Sequence, residues 1–249
     1  MNLYYKYLPP ERLSYLDDEL LRYTQPIDLN DPFECLPKKP SEKEFKDVIK
    51  RISELLSKKG GPLNENAELL ELEKMYREAY LKVNNDIGIL SLTKKWNNTL
   101  MWAHYTNSHK GFCVGFDPKG KYFENYLSTN LEESKTVKEV VYSDKRVEIP
   151  MDFEKEKLGF EPFITKSTDW KYEEEIRVIS TLNLSDKKKC GNPVDIHLFK
   201  VPHKLIKEIV AGANMEKNNE DLVKDFCSKN GIQFYKSKIS NEQFHMERE

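Results

Sequence analysis

From Ile87 to Lys238 the chain is divided into short apolar runs bounded by Gly, Pro, Asn or Asp, and this pattern constrains the fold more than any other feature. Such runs read as β-strands. The expected strands are Ile87–Thr93, Gly111–Phe116, Val137–Tyr142, Glu175–Ser180 and Val194–Val201, preceded by an aromatic-rich strand, Leu3–Leu8, that Pro9-Pro10 stops. The closing stretch reads as strand Ile206–Val210, helix Asn219–Lys229, a turn at Asn230-Gly231 and strand Ile232–Lys238. A helix between two strands allows them to run parallel, so the sheet is expected to be mixed.

Helical spacing occurs in three places. Leu13, Leu16 and Leu20 predict a short helix over Glu11–Arg22. Phe45, Val48, Ile49, Ile52, Leu55 and Leu56 form one stripe of a second helix, opened by a Ser41/Glu44 capping box and closed by Gly60-Gly61. A third helix is expected from about Asn66 to Val83, with Leu69, Leu72, Tyr76 and Tyr80 on one face. The fold that follows is α+β: a single domain over 1–249 with a mixed, mostly antiparallel sheet core and a helical-hairpin insertion at about 41–84. A βαβ-like unit near the C-terminus and a frayed tail at about 241–249 complete the expectation.

Hydrophobic residues make up 38% of the chain, below the ~45–50% of average globular domains, but the 11% aromatic content argues for a packed core. Forty basic residues against 42 acidic ones leave a net charge of −2, so no overall field favours nucleic acid or membrane. Leu36–Lys59 is locally basic, with eight Lys or Arg against four Asp or Glu, and reads as a solvated helix face. No apolar run approaches the ~20 residues a membrane helix needs, and the N-terminal residues lack a secretory layout. The four cysteines are far apart and form no C-x-x-C pair, which fits free thiols in the cytoplasm.

Three clusters carry candidate chemistry. Trp102–Phe112 gathers an indole, two imidazoles (His104 and His109) and the phenol of Tyr105 ahead of a buried-looking strand. The five-residue spacing of the histidines does not suit two metal ligands on one helix face, and no metal is expected. In Trp170–Arg177, strand alternation lines Glu173, Glu175 and Arg177 along one face, with Arg177 forking onto a carboxylate. Carboxylates in a row accept hydrogen bonds from a ribose or another hydroxyl-rich ligand; the same residues also fit a surface ion-pair ladder. Asn30-Asp31-Pro32-Phe33-Glu34 forms an ordered Asx loop, with Phe33 as its anchor. Trp102 and Phe33 are expected in the core, and Gln at 175, being near-isosteric, is expected to leave stability unchanged.

Taken in order, Asp28–Glu34, Ser91-Leu92-Thr93, Met101–Tyr105, His109–Phe112 and Trp170–Arg177 resemble the bacterial domain-of-unknown-function family 2971, over most of Leu3 to about Gly212. More loosely, the order of strands is similar to that of the ADP-ribosyltransferase superfamily. That resemblance implies NAD as substrate, held between two small sheets by a nucleotide-binding cleft. It makes Glu175 the ribose-binding glutamate and Glu173 the residue that prepares a protein or nucleic-acid acceptor. Ser91 falls on the middle strand and Tyr105 faces the nicotinamide, while the first-strand position that holds the cofactor carries Tyr5-Lys6-Tyr7 in place of Arg or His. A toxin or phage-defence effector is the role so implied. Two other functions fit the same residues. One is a hydrolase or nuclease with His104 and His109 as acid and base, and Lys6 or Arg177 on a phosphate. The other is a non-catalytic binding module that stacks bases on Trp102, Tyr105 and Trp170.

Overall fold

The computed structural model describes residues 2–57, 70–71, 74–75, 78, 81–82, 85–125, 134–148, 159–192 and 194–249. These fall into two compact units. The first comprises Met1–Thr24, Gly88–Val140 and Asp169–Glu249, and the second Gln25–Ile87 and Val141–Thr168.

The alternation of Tyr4-Tyr5-Lys6-Tyr7-Leu8 forms strand β1 (Tyr4–Leu8). In chain order there follow α1 (Tyr15–Asp18), β2 (Leu20–Tyr23), α2 (Glu42–Ser57), β3 (Ile87–Thr93), α3 (Thr99–Tyr105), β4 (Phe112–Phe116), β5 (Lys135–Glu139) and β6 (Val141–Tyr142). The remainder are α4 (Glu161–Ile164), β7 (Thr165–Lys166), β8 (Glu175–Thr181), β9 (Lys187–Lys189), β10 (Ile196–Lys200), β11 (Ile206–Ala211), α5 (Lys217–Asn230), β12 (Gln233–Ile239) and β13 (Met246–Arg248).

The first unit is built on a sheet of order β13-β12-β11-β4-β1-β3-β8-β5, mixed and mostly antiparallel as the sequence pattern predicts. A parallel pair within it is β11–β12, joined through α5, which ends at Gly231 in the left-handed region (φ 66). A smaller sheet, β2-β10-β9, belongs to the same unit. Alternation sends Leu8, Phe112 and Val114 into one core cluster with Leu90, Val178 and Ile209. It sends Tyr5, Tyr7 and Cys113 to the opposite face, into a second cluster closed by Met101 and Trp102 of α3 and by Met246. Gly115 permits the tight crossing at Tyr5, because a Cβ there would lie 2.9 Å from the Tyr5 ring. The second unit holds α2, α4 and the short parallel pair β6–β7. Ser41 and Glu44 form the expected capping box: the Ser41 amide donates to Glu44 Oε2 (2.6 Å) and the Glu44 amide to Ser41 Oγ (3.3 Å).

Several expectations are corrected. The helix over Glu11–Arg22 is broken: α1 ends at Glu19, which adopts a left-handed backbone (φ 57), and Leu20 opens β2 against β10. Tertiary ladder bonds outweigh the leucine spacing there. The expected strand Val137–Tyr142 divides into β5, paired with β8, and β6, paired with β7. The frayed tail is ordered at β13, which pairs with β12. Phe33, expected as an anchor, is 64% exposed beneath the Arg146 guanidinium, 5.0 Å from its ring centroid. The stripe on which the expected helix from about Asn66 to Val83 rests, Leu69, Leu72, Tyr76 and Tyr80, lies outside the described residues.

Candidate active site

The charged face of β8 is buried. Arg177 is inaccessible, and its Nε and Nη2 donate to the two oxygens of Glu175 at 2.9 and 3.0 Å. Glu175 is itself only 4% exposed. This is the fork geometry that alternation predicts, placed in the interior.

Glu173 reaches the interior by another route. It ends a 3₁₀ turn (Thr168–Glu173), and Glu174 then takes a left-handed backbone (φ 44) before β8 begins. The reversal leaves Glu174 exposed, paired with Lys95 at 3.2 Å, while Glu173 is 3% exposed. The phenol of Tyr105, at the end of α3, donates to Glu173 Oε1 at 2.6 Å. Burial, then the nearby Glu173 charge, push the Tyr105 pKa far up, so the phenol keeps its proton and acts as a donor.

Asn98 fixes the helix to the turn. Its Oδ1 caps α3 by accepting from the Leu100 and Met101 amides (2.9 and 3.2 Å). Its Nδ2 donates to the Tyr172 carbonyl at 3.1 Å. Thr93 Oγ1 donates to the Glu173 carbonyl from the end of β3.

The fourth charge is Lys6. β1 and β3 pair at Tyr5↔Thr93, and beyond that point the Lys6 ammonium donates to the Ser91 carbonyl at 3.0 Å. Burial lowers its pKa to about 8, against the upward pull of Glu175 and Glu173. Two carboxylates, a guanidinium and an amine near its titration point thus share one region of the first unit. Such a constellation can hold hydroxyls, stabilise a developing cation and accept a proton.

The other candidates lie as follows. His104 is exposed, its ring edge-on to Tyr105 at 6.3 Å. His109 stacks on Trp102 (6.2 Å, 11°) within a run of left-handed residues, Asn107–His109. Burial lowers the His109 pKa, and its Nδ1 has no protein hydrogen-bond partner. Trp102 is fully buried, donates from its indole to the Trp96 carbonyl (2.7 Å) and packs edge-on against Tyr7, so it offers no face for a base to stack on. Trp170 is half-buried beside Tyr172, 6.1 Å between ring centroids. Tyr5 donates to Glu208 at 3.1 Å, on the sheet face opposite Leu8. In the second unit Asn30 is exposed, Asp31 Oδ1 accepts the Phe33 amide (2.9 Å), and Glu34 forms a buried ion pair with Lys166 at 3.1 Å.

Sequence reasoning missed Asn98 and Lys166. An Asn ahead of an apolar helical turn is a recognisable N-cap signal, whereas nothing marks Lys166 among 40 basic residues. Among the described residues no group of three or more His, Cys, Asp or Glu is placed to hold a metal ion, and no helix is long and apolar enough to cross a membrane.

Residues 101–178 match the family model described as "Protein of unknown function (DUF2971)". The match bears out the family resemblance over a span that includes both Trp102–Phe112 and Trp170–Arg177. No curated protein and no solved structure matches the chain.

Proposed function

We propose that Glu173, Glu175, Arg177, Tyr105 and Lys6 form the working site of an NAD-consuming, ADP-ribosyltransferase-like enzyme, acting as a toxin or phage-defence effector. The observation that carries this reading is the pair of buried carboxylates at the start of β8, one locked by a two-pronged arginine and the other by a tyrosine. Burying two carboxylates is costly, and a positioned negative charge in a water-poor site is most effective where positive charge develops.

In the reaction, the bond between the nicotinamide nitrogen and ribose C1′ breaks and its electron pair leaves with neutral nicotinamide. Glu175 stabilises the oxocarbenium-like centre. Its carboxylate, oriented by Arg177, is the acceptor for ribose hydroxyls. The acceptor's lone pair forms the new bond at C1′ and its proton passes to Glu173, which Tyr105 holds in place. Lys6 supplies the first-strand cation for the anionic part of the nucleotide.

The test is incubation with NAD and chromatography for nicotinamide. The unaltered chain is expected to release nicotinamide slowly even without an acceptor. Glu175→Gln, assayed well below its melting temperature and checked for fold, should lose about 10²-fold or more of that turnover while retaining most of the NAD binding. Glu173→Gln should impair transfer to an acceptor more than bond cleavage. No heat with millimolar NAD in calorimetry, together with no nicotinamide, would refute the reading and direct attention to RNA or DNA cleavage dependent on His104.

A further inference from the structure

Strand β13 is three residues long and lies at the outer edge of the larger sheet. Two side chains on one of its faces hold it. Met246 is buried in the second core cluster with Trp102 and Tyr7. The Arg248 guanidinium lies 4.3 Å from the ring centroid of Tyr235 and 5.0 Å from that of Trp96, and is paired with the Glu208 carboxylate, which is buried and also accepts from Tyr5. Backbone bonds complete the seat: β13 pairs with Ser237–Ile239 of β12, the Met246 amide donates to the Asn97 carbonyl (3.2 Å), and Glu249 exchanges two bonds with Lys236 (2.9 and 3.0 Å).

Every one of these partners comes from outside β13. Around β13, β12 and the Trp96–Asn97 segment supply a strand edge, an apolar socket for Met246 and, two residues further on, an acidic socket with two aromatic rings for the Arg248 guanidinium. Strand addition with alternate side chains in pockets is a general mode of peptide recognition, and a buried carboxylate beside two aromatic rings that stack on the bound guanidinium selects arginine over lysine. The segment leading into β13, Ser240–His245, is a run of bends with Phe244 fully exposed.

We propose that this groove is a recognition site for an extended segment of a protein partner that carries an apolar residue and, two positions later, an arginine, with β13 as its resident occupant in cis. Occupancy reaches the active site through one step of chain. Asn97 accepts from Met246, and its neighbour Asn98 joins α3, which carries Tyr105, to the turn that carries Glu173. The inference does not depend on NAD chemistry, and its test contains no nucleotide.

The experiment uses the full-length chain with Arg248→Glu, which places like charge against Glu208 and releases β13. The probe is a fluorescein-labelled synthetic peptide spanning Phe244–Glu249, followed by anisotropy. The variant should bind the probe about 10²-fold or more tightly than the unaltered chain, because the tethered competitor is gone. A probe with Ala in place of its arginine should bind neither. Binding absent from the folded variant, or indifferent to the probe's arginine, overturns the proposal. Where Arg248→Glu does not fold, Met246→Ala serves with the same readouts. A concentration-dependent dimer of the unaltered chain, abolished by Arg248→Glu, would assign the groove to a second copy and overturn the choice of a foreign partner.

Discussion

The buried pair on β8 makes a quantitative demand. Glu175→Gln keeps the shape of the side chain but removes the charge that both prongs of Arg177 engage, at 2.9 and 3.0 Å, around a guanidinium with no exposure. Removing one partner of a buried ion pair costs ~3–5 kcal/mol. For a chain of 249 residues, each kcal/mol lowers the melting temperature by about 2–4 °C, so the expected loss is about 6–20 °C. This reverses the expectation drawn from the sequence, where a near-isosteric Gln at 175 is harmless. The assay is scanning calorimetry on a double-mutant cycle of Glu175→Gln, Arg177→Met and the double variant. Removing both charges together spares each the loss of its forked partner, so the double variant should be more stable than the sum of the two single losses implies. A melting temperature for Glu175→Gln within about 2 °C of the unaltered chain, below the ~1 kcal/mol level, would refute the buried-pair reasoning.

Lys6 gives a pH prediction. Its pKa falls from an ordinary 10.5 to about 8 on folding, so between those values the unfolded chain binds the extra proton and stability rises with pH. Relative to Lys6→Met, the unaltered chain should therefore gain melting temperature from pH 8 to 10; a constant offset between the two would exclude the shift. Trp102→Ala should cost ~3–5 kcal/mol, while Phe33→Ala should stay within ~1 kcal/mol because Phe33 is largely exposed. Urea titrations compare them, and a large loss at Phe33 would refute its placement. Glu174 holds φ 44, so Glu174→Val should cost ~1–3 kcal/mol in backbone strain and Glu174→Gly should be near neutral. Equal melting temperatures for the two would show that the left-handed turn does not form.

What the sequence reveals of the fold follows a physical line. β1, β3, β4, β10, β11 and β12 carry their own apolar signal, and α5 has its Gly231 stop, so each is legible without knowledge of its neighbours. β2, β9 and β13 are not. β9 is Lys187-Lys188-Lys189 and β13 is Met246-Glu247-Arg248, and neither has the alternation of a half-buried strand. They are strands because a distant edge supplies the ladder, and for β13 because Trp96, Tyr235 and Glu208 seat an arginine.

The site was legible in part for a related reason. Period-two alternation correctly joins Glu175 to Arg177. The same rule places Glu173 on their face by continuing the strand through Glu174, whereas the chain reverses there, and Glu173 is buried by way of the 3₁₀ turn and the reach of Tyr105. Burial of that face was the larger ambiguity. From Glu175 to Ser180 every residue of β8 is buried, on both faces, so alternation has no outside to point to. A charged face becomes an interior face only when its charges find partners there, and two of those partners, Lys6 on β1 and Tyr105 on α3, are far away in the chain. Rules that assign charge to the surface work from one residue at a time. Interior charge is a property of a closed set, and in this protein the set closes only when β1, α3 and β8 are brought together.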